Sequence, residues 1–200
     1  MTTRLAGFSA TVLLAAGCAA PEMLPPRDGT VPAGIDFSGT WQIVSDQRAD
    51  QQRLRQAIRR TDGISDDDLF RRPDHDSTDR NRRSGSSSIK GGLVFVFLET
   101  GSSLQVTQTE HGLFISFDRS VVEEYRFGEN RIISVGEVQA QRVTGWEGNQ
   151  LVVETLDKNS MKMTERIELV NSGNTLERTI TFRSKEGDEE TVVQRFERQS

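Results

Sequence analysis

Apolar residues follow two different rhythms along this chain. Before position 92 they are sparse or bunched. From Gly91 on there is no proline, and apolar residues alternate with polar ones, the period-two pattern of half-buried strands. "FSGTWQIV" (Phe37 to Val44) reads as a first strand. "LQVTQTE" and "LFISFDR" flank Glu110-His111-Gly112, and "VVEEYRF" and "RIISVGEVQAQRVTGW" flank Gly128-Glu129-Asn130, which are hairpin signals. "NQLVVETLD" follows Gly148. "MKMTERIELV" puts Met161, Met163, Glu165, Ile167 and Leu169 on one face, and "TLERTITFRS" does the same for Leu176, Arg178, Ile180 and Phe182. "EETVVQRFER" closes the chain. The pattern predicts a mainly β fold: an antiparallel meander of about eight strands, as a barrel or a strongly curved sheet. "LVFVFLET" (Leu93 to Thr100) is apolar on both faces, and periodicity does not decide between strand and helix there.

Between the first strand and this meander lies an insertion, residues 45 to 92. Leu54, Ala57 and Ile58 stand at helical spacing, Asp46 is a candidate cap and Gly63 a stop. Ser65 to Arg72 reads as a second short helix with acids in its first turn. Residues 73 to 92 read as a flexible loop. Residues 46 to 90 hold ten Arg and one Lys against nine Asp, a mixed-charge, solvated stretch.

The N-terminus has a different character. Arg4 precedes an apolar run over residues 5 to 16. That run is too short to cross a bilayer, which takes about 20 residues, but suits a secretory signal. It ends at Ala15-Ala16-Gly17-Cys18. This resembles the bacterial lipobox, with Ala15 at the place usually given to Leu. The resemblance implies that residues 1 to 17 are a signal peptide and that Cys18 is the lipid attachment point. Cys18 is the single cysteine of the chain, so no disulfide forms within it. Ala19 after the cysteine implies the outer membrane, with the protein facing the periplasm. Residues 18 to 36 carry four of the five prolines and read as a tether. Residues 37 to 200 then form the β domain.

Charge and chemistry exclude several roles. Without Arg4, 24 basic residues face 30 acids, a net charge of −6, which is not the balance of a nucleic-acid binder. Asp74, His75, Asp76 and Asp79 lack the glycine-pivoted loop of a calcium site, and no metal is expected. His111 sits in a hairpin turn. Glu123 and Glu124 fall on opposite strand faces and read as solvated or edge charges. No nucleophile with a base, no phosphate loop and no cofactor motif is present, so the sequence points away from an enzyme. Trp146, beside a turn, reads as a cap on the core.

Gly39-Thr40-Trp41 on the first strand resembles the lipocalin pattern. That resemblance implies that Trp41 closes one barrel end under an arginine of the last strand, Arg198 first and Arg195 second. More broadly, "FSGTWQI", "VTGWEGNQLVVET" and "TERIELVNSGNTLERTITF" are similar to a group of uncharacterised secreted bacterial proteins over residues 36 to 198. Two functional readings stay open. One is a membrane-anchored module that binds a small apolar ligand or lipid, with Trp41, Met161, Met163 and Phe182 as cavity wall. The other is an envelope lipoprotein with a solid core that docks a protein partner on its arginine-rich insertion.

Overall fold

The computed structural model describes residues 22–62 and 94–199. Its order is β1 (Gly39–Ile43), α1 (Gln47–Asp62), a 3-10 turn (Val94–Phe97), β2 (Ser103–Gln108), β3 (Gly112–Phe117), β4 (Val121–Arg126), β5 (Asn130–Val135), β6 (Val138–Glu147), β7 (Gln150–Asp157), β8 (Lys162–Val170), β9 (Thr175–Arg183) and β10 (Glu189–Gln199). One antiparallel sheet holds all ten strands in the order β4-β3-β2-β1-β10-β9-β8-β7-β6-β5. The meander is as expected, but it has ten strands rather than eight. "RIISVGEVQAQRVTGW" is two strands, because Gly136 takes a positive φ of 59° and reverses the chain. Of "LVFVFLET", the described residues 94–100 form a strap that opens with a short 3-10 helix (Val94–Phe97) and continues without regular structure.

The sheet curls until its ends meet, yet β4 and β5 do not pair. Side chains bridge the seam instead. Arg142 on β6 donates to Glu123 on β4 at 2.8 Å, and Arg131 on β5 donates to the Glu124 carbonyl at 2.9 Å. Glu123 is therefore an edge charge, on the terminal strand β4, half-buried and paired across the seam rather than free in solvent.

The enclosed face carries two apolar clusters. The first surrounds Trp41 and includes Phe37, Leu113, Tyr125, Trp146, Leu151, Ile167, Leu176 and Phe196. The second includes Met161, Met163, Ile180, Phe182 and Val192, covered by Leu54, Ala57 and Ile58 of α1. α1 forms as its sequence predicts. The Asp46 carboxylate accepts from the amides of Arg48 and Ala49 at 2.9 and 3.3 Å, satisfying donors at the helix start. The predicted helix at 65–72 and loop at 73–92 lie outside the described residues, as do the predicted signal and Cys18.

The proline-rich segment departs from its expected role as a free tether. From Leu24 on it is docked against the outer face of β6 and β7. Leu24 packs with Val143 and Leu156, and its amide donates to the Gln141 side chain at 3.0 Å. Arg27 pairs with Glu147, and with Glu154 at 2.8 Å. Asp28 forms a bridge to Trp146. A Cβ on Gly145 would run into the Asp28 carbonyl oxygen and the Arg27 side chain, so this contact needs glycine there. The docking explains why "LVVETLD" is buried on both faces of β7. Any free tether is confined to the chain before this docked stretch.

Candidate ligand site

Between the two clusters the interior is crossed by a charged belt. On β9, Arg178 stands between Leu176 and Ile180; on β8, Glu165 stands between Met163 and Ile167; on β10, Gln194 stands between Val192 and Phe196. Arg178 is 2 % exposed and Glu165 1 %. Arg178 donates from Nε to Glu165 at 2.7 Å and from a second nitrogen to the same oxygen. The other Glu165 oxygen has no partner among the described residues. Burial lowers the Arg178 pKa, but the charge and hydrogen bond of Glu165, together with the nearby Tyr125 and Glu99, outweigh it, so the guanidinium is held charged. Burial, reinforced by the charge of Glu165, pushes the Tyr125 phenol up.

The two interior arginines also hold the strap. Arg178 donates to the Glu99 carbonyl at 2.9 Å, and Arg142 to the Phe97 carbonyl at 3.5 Å. The Val94 amide is fixed to Asp157 at 3.2 Å. Arg178, Arg142, Glu165, Glu123 and Glu99 bring two positive and three negative charges to one belt. Burial, then the charge of Glu123, raises the Glu99 carboxyl above its ordinary range. With two arginines against three carboxyl groups, the belt carries no excess of positive charge.

The strap and α1 enclose a groove of about 290 Å³. Leu54 and Ile58 line it from α1, and Phe95, Val96 and Leu98 from the strap; Gln51, Arg55 and Thr100 supply its polar atoms. Phe95 touches Phe182 in the core, with ring centroids 5.1 Å apart. The groove therefore lies directly above the second cluster.

The four residues expected as cavity wall sit elsewhere. Trp41, Met163 and Phe182 are 0 % exposed and Met161 4 %. Trp41 belongs to one cluster and the other three to the second. They are packed core, and none lines the groove. The sequence reading missed Phe95, Val96 and Leu98 as lining residues. Their signal was present in "LVFVFLET", whose two apolar faces serve the core and the groove. Trp146 is buried against Phe37 and Phe127, at 5.6 and 5.3 Å between ring centroids, and caps the core as expected. His111 is exposed beside Glu110. Among the described residues no group of three His, Cys, Asp or Glu stands together to hold a metal, and no helix is long and apolar enough to cross a membrane.

No protein-family model and no curated protein sequence matches the chain. Solved structures similar to it include a secretory abundant heat soluble protein from Ramazzottius varieornatus, 11% identical with a TM-score of 0.47, covering 82% of this chain and 95% of that one. Fatty-acid-binding protein 1 of Echinococcus granulosus is 14% identical with a TM-score of 0.46, covering 82% and 98%. Zebrafish ileal bile acid-binding protein, solved with cholic acid, is 14% identical with a TM-score of 0.45, covering 82% and 98%.

Proposed function

We propose that this protein is a lipoprotein, anchored through Cys18 to the outer membrane and facing the periplasm, that binds the apolar chain of a small amphipathic molecule. The α1–strap groove carries the reading. Five apolar side chains face one space of about 290 Å³, near the lower end of the usual pocket range of about 300–1,000 Å³. Gln51, Arg55 and Thr100 offer polar contacts for a head group. The proposal gives the protein no catalytic role and no cofactor.

The test titrates a fluorescent fatty acid against residues 18 to 200, which keep every described element. Saturable one-to-one binding is expected. Val96→Trp, from an exposed position in the groove, should abolish it without lowering the unfolding temperature. Absence of saturable binding overturns the proposal. It leaves the second reading, an interaction lipoprotein with a solid core, which the complete burial of Trp41, Met163 and Phe182 favours.

A further inference from the structure

Gln51 and Thr100 line the α1–strap groove, and they also line a second, smaller pocket of about 60 Å³. The two spaces therefore adjoin. The groove is walled mainly by apolar side chains. The pocket beyond it is mainly polar, with Asp50, Gly101, Asp118 and Gln194 in its wall. It has room for a few water-sized groups and not for an acyl chain.

Two of these wall groups keep bonding capacity in reserve. Gln194 is 3 % exposed. Its Oε1 accepts from Arg178 at 3.4 Å, while its Nε2 donates to no group among the described residues. A buried amide nitrogen without an acceptor is costly, so this one calls for an acceptor in the pocket. Asp118 supplies the opposite polarity. Its Oδ1 accepts from the amides of Ser102 and Ser103 at 2.9 and 2.8 Å, and from their hydroxyls at 2.8 and 3.2 Å. Its Oδ2 has no donor among the described residues. A Cβ on Gly101 would lie 3.1 Å from that oxygen, so glycine leaves it open. Burial raises the Asp118 pKa, but the hydrogen bonds from Ser102 and Ser103 outweigh it and the carboxylate stays ionised. Asp50, 1 % exposed, is already occupied: it accepts from the Ser45 hydroxyl, and from Arg53 at 2.6 Å.

The pocket thus offers one unused donor and one unused, charged acceptor. A hydroxyl group satisfies both, because it donates and accepts. A carboxylate has no proton to give Asp118 and is repelled by its charge. An ammonium group has no lone pair for the Gln194 amide. We infer that this pocket takes an uncharged, hydroxyl-bearing head group, and that the ligand is a chain in the groove ending in free hydroxyls, as in a monoacylglycerol. The inference rests on the apolar-chain binding proposed above and deepens it by naming the head group.

The test compares three ligands of one chain length: monodecanoylglycerol, methyl decanoate and decanoate. Each is titrated calorimetrically into residues 18 to 200, below the concentration at which it aggregates. Methyl decanoate is an uncharged ester without the hydroxyls, so it isolates their contribution. Monodecanoylglycerol should bind about tenfold or more tighter than either of the others. Gln194→Met keeps the length of the side chain and removes the amide. It should bring monodecanoylglycerol to the level of methyl decanoate, with the unfolding temperature read alongside to show that the variant is folded. If the variant does not fold, the three affinities of the parent protein still decide. Equal affinity for all three ligands overturns the head-group pocket and leaves the groove standing. So does a preference for monodecanoylglycerol that folded Gln194→Met retains. Absence of binding by all three overturns the groove, and the head-group pocket with it.

Discussion

Arg198 holds its guanidinium over the indole of Trp41, 4.2 Å from the ring centroid, and donates to the Ser38 carbonyl at 2.6 Å. The indole nitrogen donates to the Phe37 carbonyl at 3.0 Å. The last strand thereby closes the barrel end over the first, the arrangement implied by the lipocalin resemblance with Arg198 as first choice. Arg198→Ala should cost about 1–2 kcal/mol in chemical denaturation. Arg198→Lys should recover only part, because an ammonium cannot stack and bond as a planar fork does.

A filled interior predicts a full packing cost at the second cluster. Met163→Ala should destabilise by about 2–5 kcal/mol and Phe182→Ala by about 3–5 kcal/mol. A cost well under 2 kcal/mol at Met163 would reveal a void there.

Arg178 and Glu165 form a buried pair, so their single and double variants should diverge. Arg178→Met alone strands the Glu165 charge and should cost about 3–5 kcal/mol. Arg178→Met with Glu165→Leu should come close to the parent. Thermal unfolding of the three proteins decides this, and an additive double variant would contradict a coupled pair.

Gly145→Ala places a methyl group against the Asp28 carbonyl and the Arg27 side chain. The segment from Glu22 to Gly29 should lift off β6. Trypsin should then cleave at Arg27 far faster than in the parent, while the sheet persists by circular dichroism.

The same docking should respond to acid. Burial raises the Glu154 pKa, but hydrogen bonds from Arg27 and Lys162 outweigh it, so the folded value lies below the ordinary one. A depressed carboxyl contributes stability above its unfolded value, near pH 4.3. That contribution is lost as pH falls through the folded value, and the basic partners stay charged throughout. Amide resonances of Leu24 and Gly29 should shift toward unstructured values in that acid window, ahead of those of Ile180. Simultaneous loss would mean that the segment and the barrel unfold as one unit.

Much of the barrel was legible because alternation is a local signal. Met163, Ile167, Leu176, Ile180 and Phe182 each revealed its face through neighbours two positions away. The split between β5 and β6 was harder to read, since Gly136-Glu137 interrupts the alternation for only two residues. The groove was not legible. Leu98 and Ile58 lie on elements 40 residues apart, and nothing local says that a strap will cross a helix.

The sequence by itself determined the strand phases and the cap and buried stripe of α1, because each depends on side-chain period or a local motif; it left the partner of Trp41 between Arg198 and Arg195, and the contact over the indole decided for Arg198. Only the tertiary structure decided that Arg142 and Glu123 bridge the seam and that Arg178 and Glu165, already in phase with the apolar faces of their strands, meet there as a buried pair. It also decided that the proline-rich segment docks on β6 and β7. A strand shows which face a charge shares but not what stands opposite it, and burial of a charge depends on a partner brought close only when the sheet curls.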